Sequence, residues 1–243
     1  MRGSDLKTVF ALVFGVMLVS GAGAVHAGVL DDLEIEASAS QSFYSKYVWR
    51  GMLLDDDAVS QTDVSISGYG LTLGYWASTD IENNDALNSE EVDFYMDYTI
   101  EMEPVSMSLG YTYYEFPGAS TNSNEAYMGF SVDTLLSPSV TVYYDFHDED
   151  RGGGDGMYAV LSLSHSIELS EDITLDLSGS AAYNGGLWVN GKGGDALLSA
   201  GLTIALTDNL SMSPSISYSI PWGSVEDANK EEVFGGVSLG YSF

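Results

Sequence analysis

The chain has 243 residues, no cysteine, and 36 acidic against seven basic residues, a formal charge of −29. That balance excludes nucleic acid as a partner, because its recognition needs basic surface. It also excludes disulfides and thiolate metal sites as the source of stability. Acidity alone would suit a disordered chain, but 16 Tyr, nine Phe and four Trp sit in segments that alternate apolar and polar residues.

Residues 1–27 read as a secretory signal peptide. Arg2 and Lys7 supply the positive region, an apolar run follows from Val9 to Val19, and small residues lead to Ala27, after which cleavage is expected. The run is short for a helix that spans a bilayer. The remaining chain, 28–243, has no long apolar run. If it enters a membrane it does so as strands of a closed barrel, since open sheet edges cannot be satisfied in lipid.

Twelve strands follow in order: 34–50, 62–69, 71–78, 91–100, 105–114, 125–133, 139–146, 157–166, 173–183, 196–206, 210–218 and 233–243. The fourth shows the pattern most clearly. Val92, Phe94, Met96, Tyr98 and Ile100 alternate with Glu91, Asp93, Tyr95, Asp97 and Thr99, so each set lies on one face. The last strand places Val237, Leu239, Tyr241 and Phe243 on one face and Ser238, Gly240 and Ser242 on the other. This ending resembles the C-terminal assembly signal of bacterial outer-membrane barrels, which typically finish on an aromatic residue.

Alternation also suits a soluble sandwich. The links separate the two, because they run short and long in strict turn. The short set is 69–70, 101–104, 133–138, 169–172 and 207–209. The long set is 51–61, 79–90, 115–124, 147–156, 184–195 and 221–232. Short periplasmic turns and longer external loops characterise transmembrane barrels. The expected fold is therefore all-β: an antiparallel up-and-down transmembrane barrel of about 12 strands, forming one domain after the signal peptide.

A series of short motifs carries a family likeness. Ser45-Lys46-Tyr47-Val48-Trp49-Arg50-Gly51 closes the first strand. Gly74-Tyr75-Trp76-Ala77-Ser78, Glu91-Val92-Asp93-Phe94-Tyr95, Gly110-Tyr111-Thr112-Tyr113-Tyr114 with Pro117-Gly118, and Asn124-Glu125-Ala126-Tyr127 follow. Their order and spacing resemble the TorF family of porin-like outer-membrane proteins of proteobacteria. The resemblance covers about the first half of the mature chain. It implies an outer-membrane barrel and a channel, with no substrate or catalytic residue to carry over. The polar stretch that usually follows Arg-Gly is here Met52-Leu53-Leu54-Asp55-Asp56-Asp57, a departure from the pattern.

With the apolar face toward lipid, the other face lines a lumen. Lys46, Arg50, Asp63, Glu91, Asp93, Asp97 and Glu125 fall there with Tyr95 and Tyr127, and these form the candidate selectivity set. Glu34, Glu36, Asp145, Asp176, Trp76, Tyr114, Tyr143 and Tyr158 share that face. One reading is a constriction that favours cations, as carboxylate rings do in channels. The other is a salt-bridge network that cross-links strands, in which Lys46 and Arg50 pair with the acids. The two are compatible. Leu239, Tyr241 and Phe243 are assigned to assembly.

The acidic stretches Asp55-Asp56-Asp57 and His147-Asp148-Glu149-Asp150 read as solvated loops; their spacing fits no ordered calcium loop. No motif for a cofactor or metal is present. His165, among serines in Ser162-Leu163-Ser164-His165-Ser166, is the only strand histidine that could serve a lipid-acting enzyme, and the Ser-rich strands read more simply as a barrel's small polar face. The expected function is passive diffusion of small polar solutes, with a preference for cations. Its rivals are a closed structural or adhesion barrel and, as a lesser one, the lipid-acting enzyme. Export by the Sec pathway to the outer membrane of a Gram-negative bacterium is expected. Lipid, lipopolysaccharide, the barrel assembly machinery and small solutes are then the partners, and a monomer is favoured.

Overall fold

The structure, a computed structural model, describes residues 35–81, 90–117, 122–146 and 155–243. The signal peptide, Glu34 and the acidic stretch from His147 to Asp150 lie outside the described residues.

The strands are β1 (Ile35–Tyr44), β2 (Tyr47–Trp49), β3 (Met52–Asp55), β4 (Val59–Gly68), β5 (Leu71–Asp80), β6 (Glu91–Met102), β7 (Val105–Glu115), β8 (Asn122–Val132), β9 (Ser139–Asp145), β10 (Gly156–Ser170), β11 (Ile173–Asn184), β12 (Gly193–Ala205), β13 (Leu210–Gly223) and β14 (Glu232–Ser242). Twelve of them, β1 and β4 to β14, close into one barrel, while β2 and β3 form a separate two-stranded sheet. Every pairing in the wall is antiparallel, and β14 returns to β1 to complete the ring. Closure removes the sheet edges that lipid could not satisfy.

The alternating pattern decides which face points out. Along β6, Met96 is 45% exposed and Tyr98 47%, whereas Glu91 and Asp93 are 6% and 9% exposed. Register carries the apolar face around the wall: Leu71, Tyr98, Leu109, Met128 and Val142 are successive cross-strand partners. The polar face runs inside in the same way, as in Asp97, Gly110, Tyr127, Tyr143 and Tyr158. The arrangement inverts that of a water-soluble protein, with polar groups in the centre and large apolar side chains on the surface.

Short turns gather at one end. Gly68 pairs with Leu71 across Tyr69-Gly70, and both turn residues have positive φ, 55° and 81°. That is the geometry of the two-residue hairpin whose twist suits antiparallel strands. Inside the wall, Tyr95 lies across its cross-strand partner Gly74, where a Cβ would stand 2.0 Å from the ring carbon Cζ. A glycine beneath an aromatic ring lets that ring lie flat against the sheet.

One expectation is corrected. The first strand was expected to run to Arg50, with Lys46 and Arg50 on its inner face and a loop from Gly51 to Gln61. Instead β1 ends at Tyr44, and the next 14 residues leave the wall before β4 resumes at Val59. The period of two continues through Tyr47 and Trp49 because they do form a strand, but it belongs to a second sheet.

Candidate functional site

The segment after Tyr44 folds back on itself. Trp49 pairs with Met52, leaving Arg50 and Gly51 as a two-residue turn with φ of 51° and 77°. This turn type demands positive φ at both positions. Gly51 adopts it freely; Arg50 is a residue that rarely does. The hairpin turns into the lumen, near the end that carries the long links.

Its contacts cross from one side of the wall to the other. The Tyr47 hydroxyl donates to Glu91 Oε2 at 2.9 Å, and its ring lies 5.7 Å from that of Trp76. Trp49 meets Tyr114 edge-on at 6.1 Å. At the tip, Arg50 Nη1 and Nη2 donate to Glu125 Oε2 and Oε1 at 2.6 and 2.8 Å. The guanidinium carbon stands 4.3 Å from the ring centres of Trp49 and Tyr143 and 4.5 Å from that of Tyr158. Gly51 packs so closely that a Cβ there would lie 2.7 Å from Asp195 Cβ. The hairpin thus touches β5, β6, β7, β8, β9, β10 and β12.

Most of the buried groups around the hairpin satisfy one another, although Asp93 Oδ1 on the wall beside it is buried without a hydrogen-bond partner. Glu125 is fully buried and also accepts from the Tyr114 hydroxyl at 3.0 Å. Tyr158 donates to Asp195 Oδ1 at 2.9 Å, and Ser123 donates to Asp145. A paired buried carboxylate is tolerable where a bare one is not. Arg is suited to this position because its planar fork matches a carboxylate while its faces stack on rings.

One outer link holds the hairpin from the far side, and a second is ordered beside the wall. The backbone N–H of Leu53 donates to Asn229 Oδ1 at 3.0 Å, and Asn229 Nδ2 donates to the carbonyl of Val225 at 2.8 Å. Asn184 organises the other link, accepting from the N–H of Leu187 at 2.8 Å and donating to its carbonyl at 2.9 Å. Leu187 and Val225 are fully buried. At the mouth, Lys46 Nζ reaches Asp56 Oδ1 at 2.5 Å and Glu232 Oε2 at 2.8 Å.

Beyond the hairpin, toward the short turns, the wall bears small hydroxyls and a few carboxylates. Tyr95 donates to Asp63 at 3.0 Å, and Tyr127 to Asp97 at 2.8 Å. Asp176 accepts from Ser166 and Thr203. A cavity of about 320 Å³ opens at this end, lined by Ser38, Ser40, Asp63, Asn209, Ser211 and Ser242 among others.

The structure therefore brings Arg50 and Glu125 together, and sets Glu91 and Asp93 on the wall beside the hairpin. Asp63, Asp97 and Tyr95 lie in the polar section, Tyr127 links that section to the Arg50 site with its ring 5.2 Å from that of Tyr143, and Lys46 lies at the mouth. Leu239 and Tyr241 face outward, while the Phe243 ring packs on Tyr241 at 4.6 Å and its N–H donates to Ala37 O at 2.9 Å. His165 donates from Nδ1 to the Leu135 carbonyl at 2.8 Å. Among the described residues no group of three or more His, Cys, Asp or Glu could hold a metal ion. Asp195 and Leu187 were missed in the sequence because they stand in or beside a Gly-rich outer link, and Val225 and Asn229 because they stand in an acidic one, neither of which alternates.

Residues 32–184 match the model of Gcw_chp, a bacterial family of unknown function, and the chain belongs to that family. No curated protein matches the chain. Solved structures share the barrel. The NanC porin is 11% identical with a TM-score of 0.54, over 85% of this chain and 98% of that one. An outer-membrane channel from Pseudomonas putida F1 is 7% identical with a TM-score of 0.52, over 87% and 96%. LpxR from Salmonella typhimurium is 8% identical with a TM-score of 0.51, over 84% and 99%. At these identities the likeness is one of fold.

Proposed function

We propose that the chain is an outer-membrane channel for small polar solutes, closed in this state by the β2–β3 hairpin. The observation that carries the reading is the two-sided wall: large apolar side chains outside, hydroxyls and carboxylates inside, around a lumen crossed by one segment that is not part of the ring. A purely structural barrel of 12 strands has little need of a polar interior that continues below the plug toward the short turns. Solutes pass down their gradient, and Asp63 and Asp97 bias passage toward cations, as carboxylates in pores do.

In this reading residues 1–27 are removed on export by the Sec pathway, the C-terminal Leu239, Tyr241 and Phe243 address the assembly machinery, and the protein works as a monomer among lipopolysaccharide. The motif series supports kinship with the TorF porins.

The Arg50–Glu125 pair and the clasp at Asn229 also favour a second reading, a permanently closed structural barrel whose acidic outer links are the working surface. Conductance of the refolded mature protein in a planar bilayer, with a salt gradient, separates them. Discrete openings and a cation-selective reversal potential are expected. A folded barrel that never conducts, even when Arg50 is replaced, would establish the closed one.

A further inference from the structure

The box around Arg50 is built mainly by the wall. Glu125 comes from β8, Tyr143 from β9 and Tyr158 from β10, three neighbouring strands. Only Trp49 and the guanidinium itself belong to the hairpin. We infer that Glu125, Tyr143 and Tyr158 form a binding site for solutes that carry a guanidinium group, and that Arg50 is a resident occupant which such a solute replaces.

Three features support this. The wall groups also contact one another: Tyr114 fixes Glu125 from the side, and the rings of Tyr143 and Tyr158 brace each other at 6.1 Å. Their geometry is specific for a flat, forked cation, with two parallel N–H···O bonds at its edge and tyrosine rings within 4.5 Å of its carbon. An ammonium offers neither the fork nor the flat face. Third, Glu125 has no exposed surface while the hairpin is seated on it. If the hairpin withdraws, the carboxylate is left without its cation, which is costly. A second guanidinium arriving in the same place removes that cost, so binding of the solute and withdrawal of the hairpin favour each other.

That the solute also crosses the barrel rests on the channel reading; its binding does not. Calorimetry of the refolded mature protein in detergent tests the site with methylguanidinium and methylammonium as probes. R50A is expected to bind methylguanidinium at least tenfold more tightly than methylammonium, and R50A/E125Q to lose that preference. The wild-type protein is expected to bind methylguanidinium at least tenfold more weakly than R50A, because Arg50 competes. Equal binding of the two cations by R50A, or none, overturns the proposal. Should R50A not refold, Arg50→Gln takes its place under the same criteria. If the wild-type protein conducts in bilayers, it should open more often with methylguanidinium than with methylammonium at equal ionic strength, and equal effects on a conducting protein overturn the proposal too. A protein that binds methylguanidinium selectively yet conducts under no condition leaves the site standing and removes the channel. A conducting protein without the preference does the reverse.

Discussion

The ring of Tyr127 lies across Gly110, so close that a Cβ on that glycine would stand 2.1 Å from Cζ of the phenol. The same ring delivers its hydroxyl to Asp97 at 2.8 Å. Gly110→Val should therefore displace the ring and cost about 1–3 kcal/mol, the usual range for overpacking. Tyr127→Ala in the same chain should recover much of that loss. Urea midpoints of the wild type, both single variants and the double variant measure the coupling; additive effects would remove the contact from the account.

Removing Arg50 leaves Glu125 buried without a cation. Breaking a buried pair this way costs about 3–5 kcal/mol, and here the loss falls on the docking of the hairpin rather than on the wall. R50A should conduct steadily in a planar bilayer while its heat-modifiable gel migration stays that of the wild type. Continued closure would exclude the ion pair from the closing mechanism.

Gly51→Ala tests the hairpin's position without touching charge. Gly51 has φ of 77°, and a Cβ there would meet Asp195 Cβ at 2.7 Å. The turn cannot then seat against β12, although Arg50 is still present. The expected result is a raised open fraction, read in single-channel records, with the wall intact.

Lys46 behaves differently because it is partly in water, as is Asp56. Lys46→Met should change stability by less than about 1 kcal/mol and make opening at the mouth less sensitive to salt. Hydrogen bonds from Lys46 to Asp56 and Glu232 hold its pKa above the ordinary 10.5. A raised folded value means the contribution is fully present below the ordinary lysine range and is lost only as pH climbs through the folded pKa. Open fraction measured from pH 6 to pH 9 should show no step attributable to this residue, and a step that K46M abolishes would contradict the assignment.

Asp63 and Asp97 stand in the section the hairpin leaves uncovered. Changing both to Asn should move the reversal potential toward zero in a salt gradient while conductance persists. An unchanged potential would take both carboxylates out of selectivity.

Much of the wall was legible in the sequence, because one face of each strand meets a different solvent from the other and the period of two records that difference. Met96 against Asp97 and Met128 against Tyr127 are read correctly from spacing alone. The hairpin was not, and the reason is local. Tyr47 and Trp49 keep the same period as β1, so nothing in alternation marks the break after Tyr44. Two signals were present. Arg50-Gly51 between alternating flanks fits a two-residue turn, and Met52-Leu53-Leu54 is too apolar for an external loop. The bidentate partner of Arg50 lies 75 positions away, and no spacing rule reaches that far. The buried Leu187 and Val225 were hidden for a related reason: what covers them is a loop fold, not a repeating element.

Tyr44 and Val59 are direct cross-strand partners in the ring, although the whole hairpin lies between them in the chain. The pairing of β1 with β4 therefore does not run through the segment the ring contains. A short turn could join β1 to β4 in its place, or a different insert could be spliced there, and the surrounding register would be unaltered. Container and stopper are separable parts, and a lineage, or an engineer, can rework one while leaving the other as it was.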